Sequence, residues 1–548
     1  MSLKIRGPRP LPSDVGQWGS RLLSADNPYR YVGDQIYPRL NEADFAFLYP
    51  AEGQPGESPV DLILVTAFQF MESLPDRAAA EAVRVRLDWK YALHLPLDDA
   101  GFNFSVLSEF RDRLLAHGAE RLLFDQVVAW LKQAGLIKKR GRQRTDSLSV
   151  LTKVRDLSRL ELVMETLRLA VRAIVRAAPD WARAQLPWSW EQQYGQRATE
   201  YQMSDAQRSE LEHSVGQDGF WLLDQLDASP TALGLRDLEA VHLLRRVWAQ
   251  KFVREENEVV WRAGGSYDGH TEIHTPHDPE ARWSAKRGQG YVGYRLQVTD
   301  TDEDDCPHLL TDIALTPHTQ ADATALPEIQ TRLSERQVQP GTHLADTAYF
   351  SGANAQTSAQ AGIDLLTPAP PDTSPQAHLP DGLTNDQFGF DWENRQVTCP
   401  GGHVSYRWHE QPGAAEGEVV VQAVFAREVC AACPLRPRCV VGDLKRDGRK
   451  VRRSSTWPVL QAQRQRQHTP AFRQAYQRRA GVEGTLSVLV RQHGARWMRY
   501  LGTAKGHLQA LFIGVAFNLK RVAAWLAGRR PQRRRRGLGL AVVCLDSG

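Results

Sequence analysis

Hydrophobic positions change their period several times along the chain, and each change marks a boundary. Residues 1–40 are rich in Pro, Gly and Arg, show no period, and are expected to form an irregular arm. From 41 to 138 apolar residues recur at helical spacing. In FNFSVLSEFRDRLL, behind Asp98 and Asp99, Phe104, Leu107, Phe110 and Leu114 share a face, and the next helical run stops at Gly135. This predicts a helical N-terminal domain that suits a DNA-binding module or a plain bundle equally well.

At 142–151, RQRTDSLSVL turns to strand periodicity, with Asp146 among the inward residues beside Leu148 and Val150. A carboxylate there needs a partner or a cation. About 100 helical residues follow, read as an insertion over 155–260. Strand patterns return at 288–301 and 308–317, then an amphipathic helix, then a short strand ending on Asp346. Strand, strands, helix, strand, with acids on the first and last, is the order of a ribonuclease-H-like core, and crossover topology allows Asp146 and Asp346 to become neighbours. The fold class expected is therefore mixed α/β. The core's first part lies at 139–365, a Cys-containing insertion at 366–453, the core's last part at 454–528 and a basic tail at 529–548.

One stretch in the last part concentrates chemistry. Thr469 and Pro470 read as N-cap and first helical residue and Gly494 as a stop. On a continuous helix between them Tyr476, Arg479 and Glu483 stand at i, i+3 and i+7 on one face. Taken alone, Arg479 pairing Glu483 on a solvated face is the simpler reading. A face that holds metal and phosphate together is the other.

Composition narrows the classes. With 548 residues, 42% hydrophobic and 24% charged, several soluble domains are expected. The net charge of +4 decides little, but KKRGRQR at 138–144, the basic run 436–453 and RRPQRRRR at 529–536 are blocks suited to phosphate backbones, or ordinary solvated segments. The acidic run DEDD at 302–305 reads as an exposed turn. No apolar run reaches the roughly 18 to 20 residues a membrane span requires, no secretory signal is visible, and no Walker-type phosphate loop is present. Six cysteines, four of them clustered, do not make a secreted disulfide framework. An intracellular protein with no membrane partner is expected. Cys430-x2-Cys433, with Cys439 and the distant Cys399, offers a tetrahedral sulfur site that favours zinc; the alternative is four reduced thiols packed in a small insertion. Asp268, His270, His274, His277 and Asp278 lie in a Pro-containing stretch read as a loop.

These pieces, RTDSLSVL, SYDGHTEIHTPHDPEARWSAKRGQGYVGYRLQVTDT, LADTAYFSGAN and YQRRAGVEGTLSVLVRQHGARWMRYLGTAKGHLQALFIGVAFNLKR, together with AGFNFSVLSEFRDRL, resemble DDE-type transposases of bacterial insertion sequences, and among them family eleven-eighty-two. The resemblance spans roughly residues 25 to 525. It implies a DNA transposase that cleaves element ends and joins 3′-hydroxyls to target DNA, with Asp146, Asp346 and Glu483 holding two Mg²⁺ or Mn²⁺ ions. A Tyr-x2-Arg-x3-Glu-x6-Lys pattern is matched by Tyr476, Arg479 and Glu483, but Val490 stands where the lysine belongs, with Arg491 next to it. Ser147 and Leu148 also depart from the family's threonine and histidine. Arg479, Tyr476, Arg491, Arg282 and Lys286 are the expected DNA contacts. The implied partners are double-stranded DNA, as terminal inverted repeats and target, and a second copy on DNA; the implied place is the bacterial cytoplasm, at the nucleoid. A catalytically impaired, transposase-derived DNA-binding protein is the alternative.

Overall fold

A computed structural model describes residues 2–154, 157–197, 203–255, 258–262, 268–286, 288–413, 415, 417–444 and 446–530, the side chain of Lys286 excepted. The chain is mixed α/β. Its main sheet is built from β1 (Arg142–Leu151), β2 (Arg282–Lys286), β3 (Gln289–Thr301), β4 (Leu310–Pro317), β5 (Thr342–Leu344) and β6 (Asp364–Leu366). β3 runs antiparallel to β1 along its length and carries β2 and β4 in succession on its other edge. β5 and β6 continue the sheet beyond β1 as parallel strands. The strands that turn back through hairpins come first, and those reached by helical crossovers come last, as connection length requires.

β1 is buried on both faces. Leu148 and Val150 enter the main core on one face. On the other, Thr145 shares its hydroxyl with Thr299 at 2.7 Å and His343 at 2.6 Å. Arg142 lies opposite Thr342 and Arg144 opposite Leu344 in the parallel pair. Continuing that register by two residues brings Asp346, just past the end of β5, beside Asp146.

Helix α1 (Pro59–Glu72), helix α2 (Asp322–Glu335), helix α3 (Gly481–His493) and helix α4 (Thr503–Leu526) cover the sheet. Both α1 and α4 are apolar nearly all round, as helices packed on every side must be. One hydrophobic core accordingly runs from Tyr29 in the N-terminal helices through α1 and the sheet to Val522 in α4. The helical segment between β1 and the sheet's return has its own core, around Leu167, Leu222, Val247 and Trp248. The arm expected to be irregular contains a helix at Ser13–Leu22 and a second at Pro28–Tyr31, whose N-cap Asn27 accepts from the amides of Tyr29 and Arg30. A capped, tertiary-anchored turn forms there despite the Pro-Gly-Arg composition. Of the basic tail, Arg529 pairs with Asp26 at 2.6 Å, and residues 531–548 lie outside those described. No helix among the described residues is long and apolar enough to cross a membrane.

Candidate active site

Asp146 and Asp346, 200 positions apart, meet at one guanidinium. Arg479 Nη2 lies 2.9 Å from Asp146 Oδ2 and 3.7 Å from Asp346 Oδ2. The two carboxylate oxygens therefore cannot be further apart than those two distances laid end to end. Each acid is steadied by local backbone through its other oxygen: Ser147 N donates to Asp146 Oδ1 at 2.8 Å, and Ala348 N to Asp346 Oδ1 at 2.9 Å. One oxygen per acid is thus left turned toward a shared cation. Burial pushes the Asp146 carboxyl above the usual range; Arg479 opposes this, and Asp346 and Asp322 add to it.

The helix that supplies Arg479 is not continuous. It runs as an α-turn at Pro470–Tyr476, a tighter 3₁₀ stretch at Gln477–Ala480, and then α3. Within the 3₁₀ stretch the Arg478 carbonyl accepts from the Gly481 amide and also from Arg144 Nη1, the latter at 3.2 Å. Tyr476 and Arg479, three apart in a three-residue turn, still stack on one side. The Tyr476 ring lies on Phe472, centroids 5.6 Å apart, over Leu344 and Leu366. Burial raises its phenol. Glu483 sits exposed in the first turn of α3 and makes no hydrogen bond or ion pair among the described residues. Val490 packs against the main core, whereas Arg491 is exposed.

One sequence reading is corrected here. The DEDD run is not a simple exposed turn, because Asp302 is 2% exposed. Asp302 accepts from Arg144 Nη1 at 3.0 Å and from Arg478 Nε at 2.6 Å. Arg144, itself 1% exposed, also holds Asp300 with two bonds of 3.0 and 2.7 Å, and Thr485 on α3 donates to that same carboxylate at 2.7 Å. This buried cluster ties β1, β3 and α3 together two residues from Asp146. Part of the basic block 138–144 pairs with the same acids: Lys138 with Asp305 at 2.6 Å and Arg142 with Glu303 at 3.5 Å, while Arg140 donates to the Gly362 carbonyl. Arg282, expected on DNA, spends its guanidinium on the carbonyls of His270, Pro279 and Ala281 at 2.7, 2.8 and 3.1 Å. The Lys286 side chain lies outside the described residues.

Residues with no sequence signal also line the site. The Tyr349 hydroxyl donates to Gln297, and Gln297 to Asp322 at 2.9 Å. Burial, reinforced by Asp322, Asp146 and Asp346, pushes the Tyr349 phenol well above its ordinary value. In the insertion, Cys399, Cys430, Cys433 and Cys439 line one cavity with His403. Among the described residues, no three His, Cys, Asp or Glu side chains form a group placed to hold a metal ion, either there or at the acids.

What the acid pair offers is hard, anionic oxygen converging on a bound cation, which suits Mg²⁺ or Mn²⁺ in its donor chemistry. Arg479 Nε, buried and without a protein acceptor, is a spare donor beside it. Two family models match separate parts of the chain. The one described as Transposase DDE domain covers residues 398–523, and the one described as Transposase domain (DUF772) covers residues 19–113. No curated protein and no solved structure matches. The two models together support a DDE-type transposase acting on DNA.

Proposed function

We propose that this chain cleaves DNA at the ends of a mobile element and joins the freed 3′-hydroxyls to target DNA, using Asp146, Asp346 and Glu483 to hold divalent ions. The observation that carries the reading is the convergence of Asp146 and Asp346 on Arg479 Nη2. The strand order, three antiparallel strands followed by two parallel ones, supports a ribonuclease-H-like core. When bound, Mg²⁺ or Mn²⁺ activates the attacking oxygen and stabilises the leaving one.

The chain's own residues have distinct tasks. Asp146 and Asp346 present one oxygen each and are kept from rotating by the amides of Ser147 and Ala348. Arg479 neutralises the pair while no metal is present; released, its planar fork suits a phosphate, with Nε the donor already lacking a partner. The Tyr476 hydroxyl stands one turn away to bond a neighbouring phosphate oxygen. Glu483, at the exposed start of α3, is the third acid of the set. Double-stranded DNA is the substrate, and two copies bring two ends together.

The test uses purified full-length protein with DNA from either side of the coding sequence, in Mg²⁺ or Mn²⁺. Wild type should nick and join; Asp146→Asn, Asp346→Asn and Glu483→Gln should bind the same DNA and do neither. Nicking by all three variants at the wild-type rate would end the proposal. Specific binding by wild type with no nicking would favour the catalytically impaired DNA-binding protein.

A further inference from the structure

The segment 366–453 is folded around a very small core: Phe388, Val397, Ala423, Phe425 and Val451. Its framework is a hairpin of Gly389–Asp391 with Gln396–Thr398, and a three-stranded sheet of Arg407–Pro412, Val419–Val424 and Lys450–Ser454. Apolar burial on this scale rarely holds so many residues without a cross-link. Its cysteines form no disulfide.

Three separate pieces of chain bring the sulfurs together. Cys399 follows the hairpin, Cys430 and Cys433 come from the helix Arg427–Ala432 and its C-cap, and Cys439 ends the helix Arg436–Cys439. All four line one cavity. Two glycines make room for them. A Cβ on Gly401 would sit 3.5 Å from Cys433 Sγ and 3.7 Å from Cys399 Sγ, and one on Gly448 only 2.7 Å from Cys430 Sγ. The Arg449 amide donates to Cys430 Sγ at 3.3 Å.

We propose that Cys399, Cys430, Cys433 and Cys439 bind one structural zinc ion, separate from the acid site. Four sulfur donors select zinc over Mg²⁺ or Ca²⁺, and a two-residue spacing within Cys430–Cys433 allows both to reach one ion. Zinc held by the four sulfurs, each about 2.3 Å from the metal, would be the missing cross-link. It also reaches the proposed active site, because the chain leaves the insertion through Lys450–Ser454 straight into the helix Trp457–Arg466. There Gln463 donates to the Thr367 carbonyl at 2.6 Å, clamping the insertion's exit to its entrance ahead of the Arg479 turn.

The experiment measures metal in the full chain purified without chelator. We expect roughly one zinc per chain, protection of these four thiols from alkylation while zinc is bound, and the intense visible absorption of a tetrahedral thiolate site after exchange with Co²⁺. Cys430→Ser and Cys433→Ser should lose the metal, and Cys306→Ser, outside the insertion, should keep it. If the insertion variants do not fold, the wild-type stoichiometry, alkylation and Co²⁺ spectrum still decide. Zinc below about one tenth per chain after zinc supplementation, thiols equally reactive with and without zinc, or zinc retained in folded Cys430→Ser would each overturn the site. None of these readouts depends on DNA cleavage.

Discussion

Replacing Gly481 with Ala sets two effects of opposite sign against each other. In a helix, Ala is ordinarily better than Gly by about 0.5 to 1 kcal/mol. Here the added Cβ would lie 2.0 Å from Arg144 Nη1 and 2.9 Å from its Cζ. The end of an arginine usually yields cheaply, but this one is held by Asp300, Asp302 and the Arg478 carbonyl. Moving Nη1 away gives up one or two bonds involving buried charge, each worth about 1.5 to 3 kcal/mol. After the helical gain, a net loss of about 0.5 to 5.5 kcal/mol remains, centred on about 3 kcal/mol, on the order of 100-fold in the local opening equilibrium. Hydrogen exchange of the amides of Gly481–His493 reads this directly, and avoids assigning one unfolding free energy to a chain with several cores. Gly484→Ala is the internal control. A Cβ there meets nothing within 4 Å, so exchange should slow slightly. Gly481→Ala amides protected as well as those of Gly484→Ala would refute the claim that Arg144 is immovable.

Three further outcomes are expected. Arg479→Gln should tighten Mn²⁺ binding about tenfold, by removing the cation that now occupies the acids, while lowering the cleavage rate; unchanged Mn²⁺ affinity would contradict the competition. His343, His493 and His507 are each pushed down to about 4 by burial. Native imidazoles stay neutral while unfolded ones take up protons, so melting temperature should fall as pH drops from about 6.5 toward 4, and a flat profile would count against it. Glu165 is pushed up by burial, but bonds from Arg168 and His277 prevail and hold it at about 2. Its contribution to the helical insertion should persist above about pH 4.5 and fade toward pH 2, a dependence that Glu165→Gln removes in proteolysis of that segment.

The sheet and its two aspartates were legible because strand periodicity with an acid at an inward position has few explanations. The helix of Arg479 was legible in its ends, Thr469 and Gly494, but not in its middle. The Arg478 carbonyl in its 3₁₀ turn meets Arg144, some 330 positions earlier, and no local pattern encodes that. The same distance hid a pairing between two charge runs. Lys138, Arg142 and Arg144 in 138–144 find Asp305, Glu303 and Asp302 in 302–305 as partners. Asp322, Tyr349 and Gln297 went unnoticed because nothing in sequence marks a residue whose role comes from the strand it lands beside.

The placement of α4 within the common core has a consequence for how the protein is made. Translation proceeds at about 5 to 20 residues per second, so Thr503–Leu526 leaves the ribosome on the order of half a minute to two minutes after the first helices. Until then α1 and the outer strand β4, both of which pack on α4, lack the partner that covers much of their apolar surface. The helical insertion has a core of its own on which to collapse, whereas the main sheet shares its core with α4. A ribosome stalled before position 503 leaves the main core without α4 and its apolar faces open to aggregation.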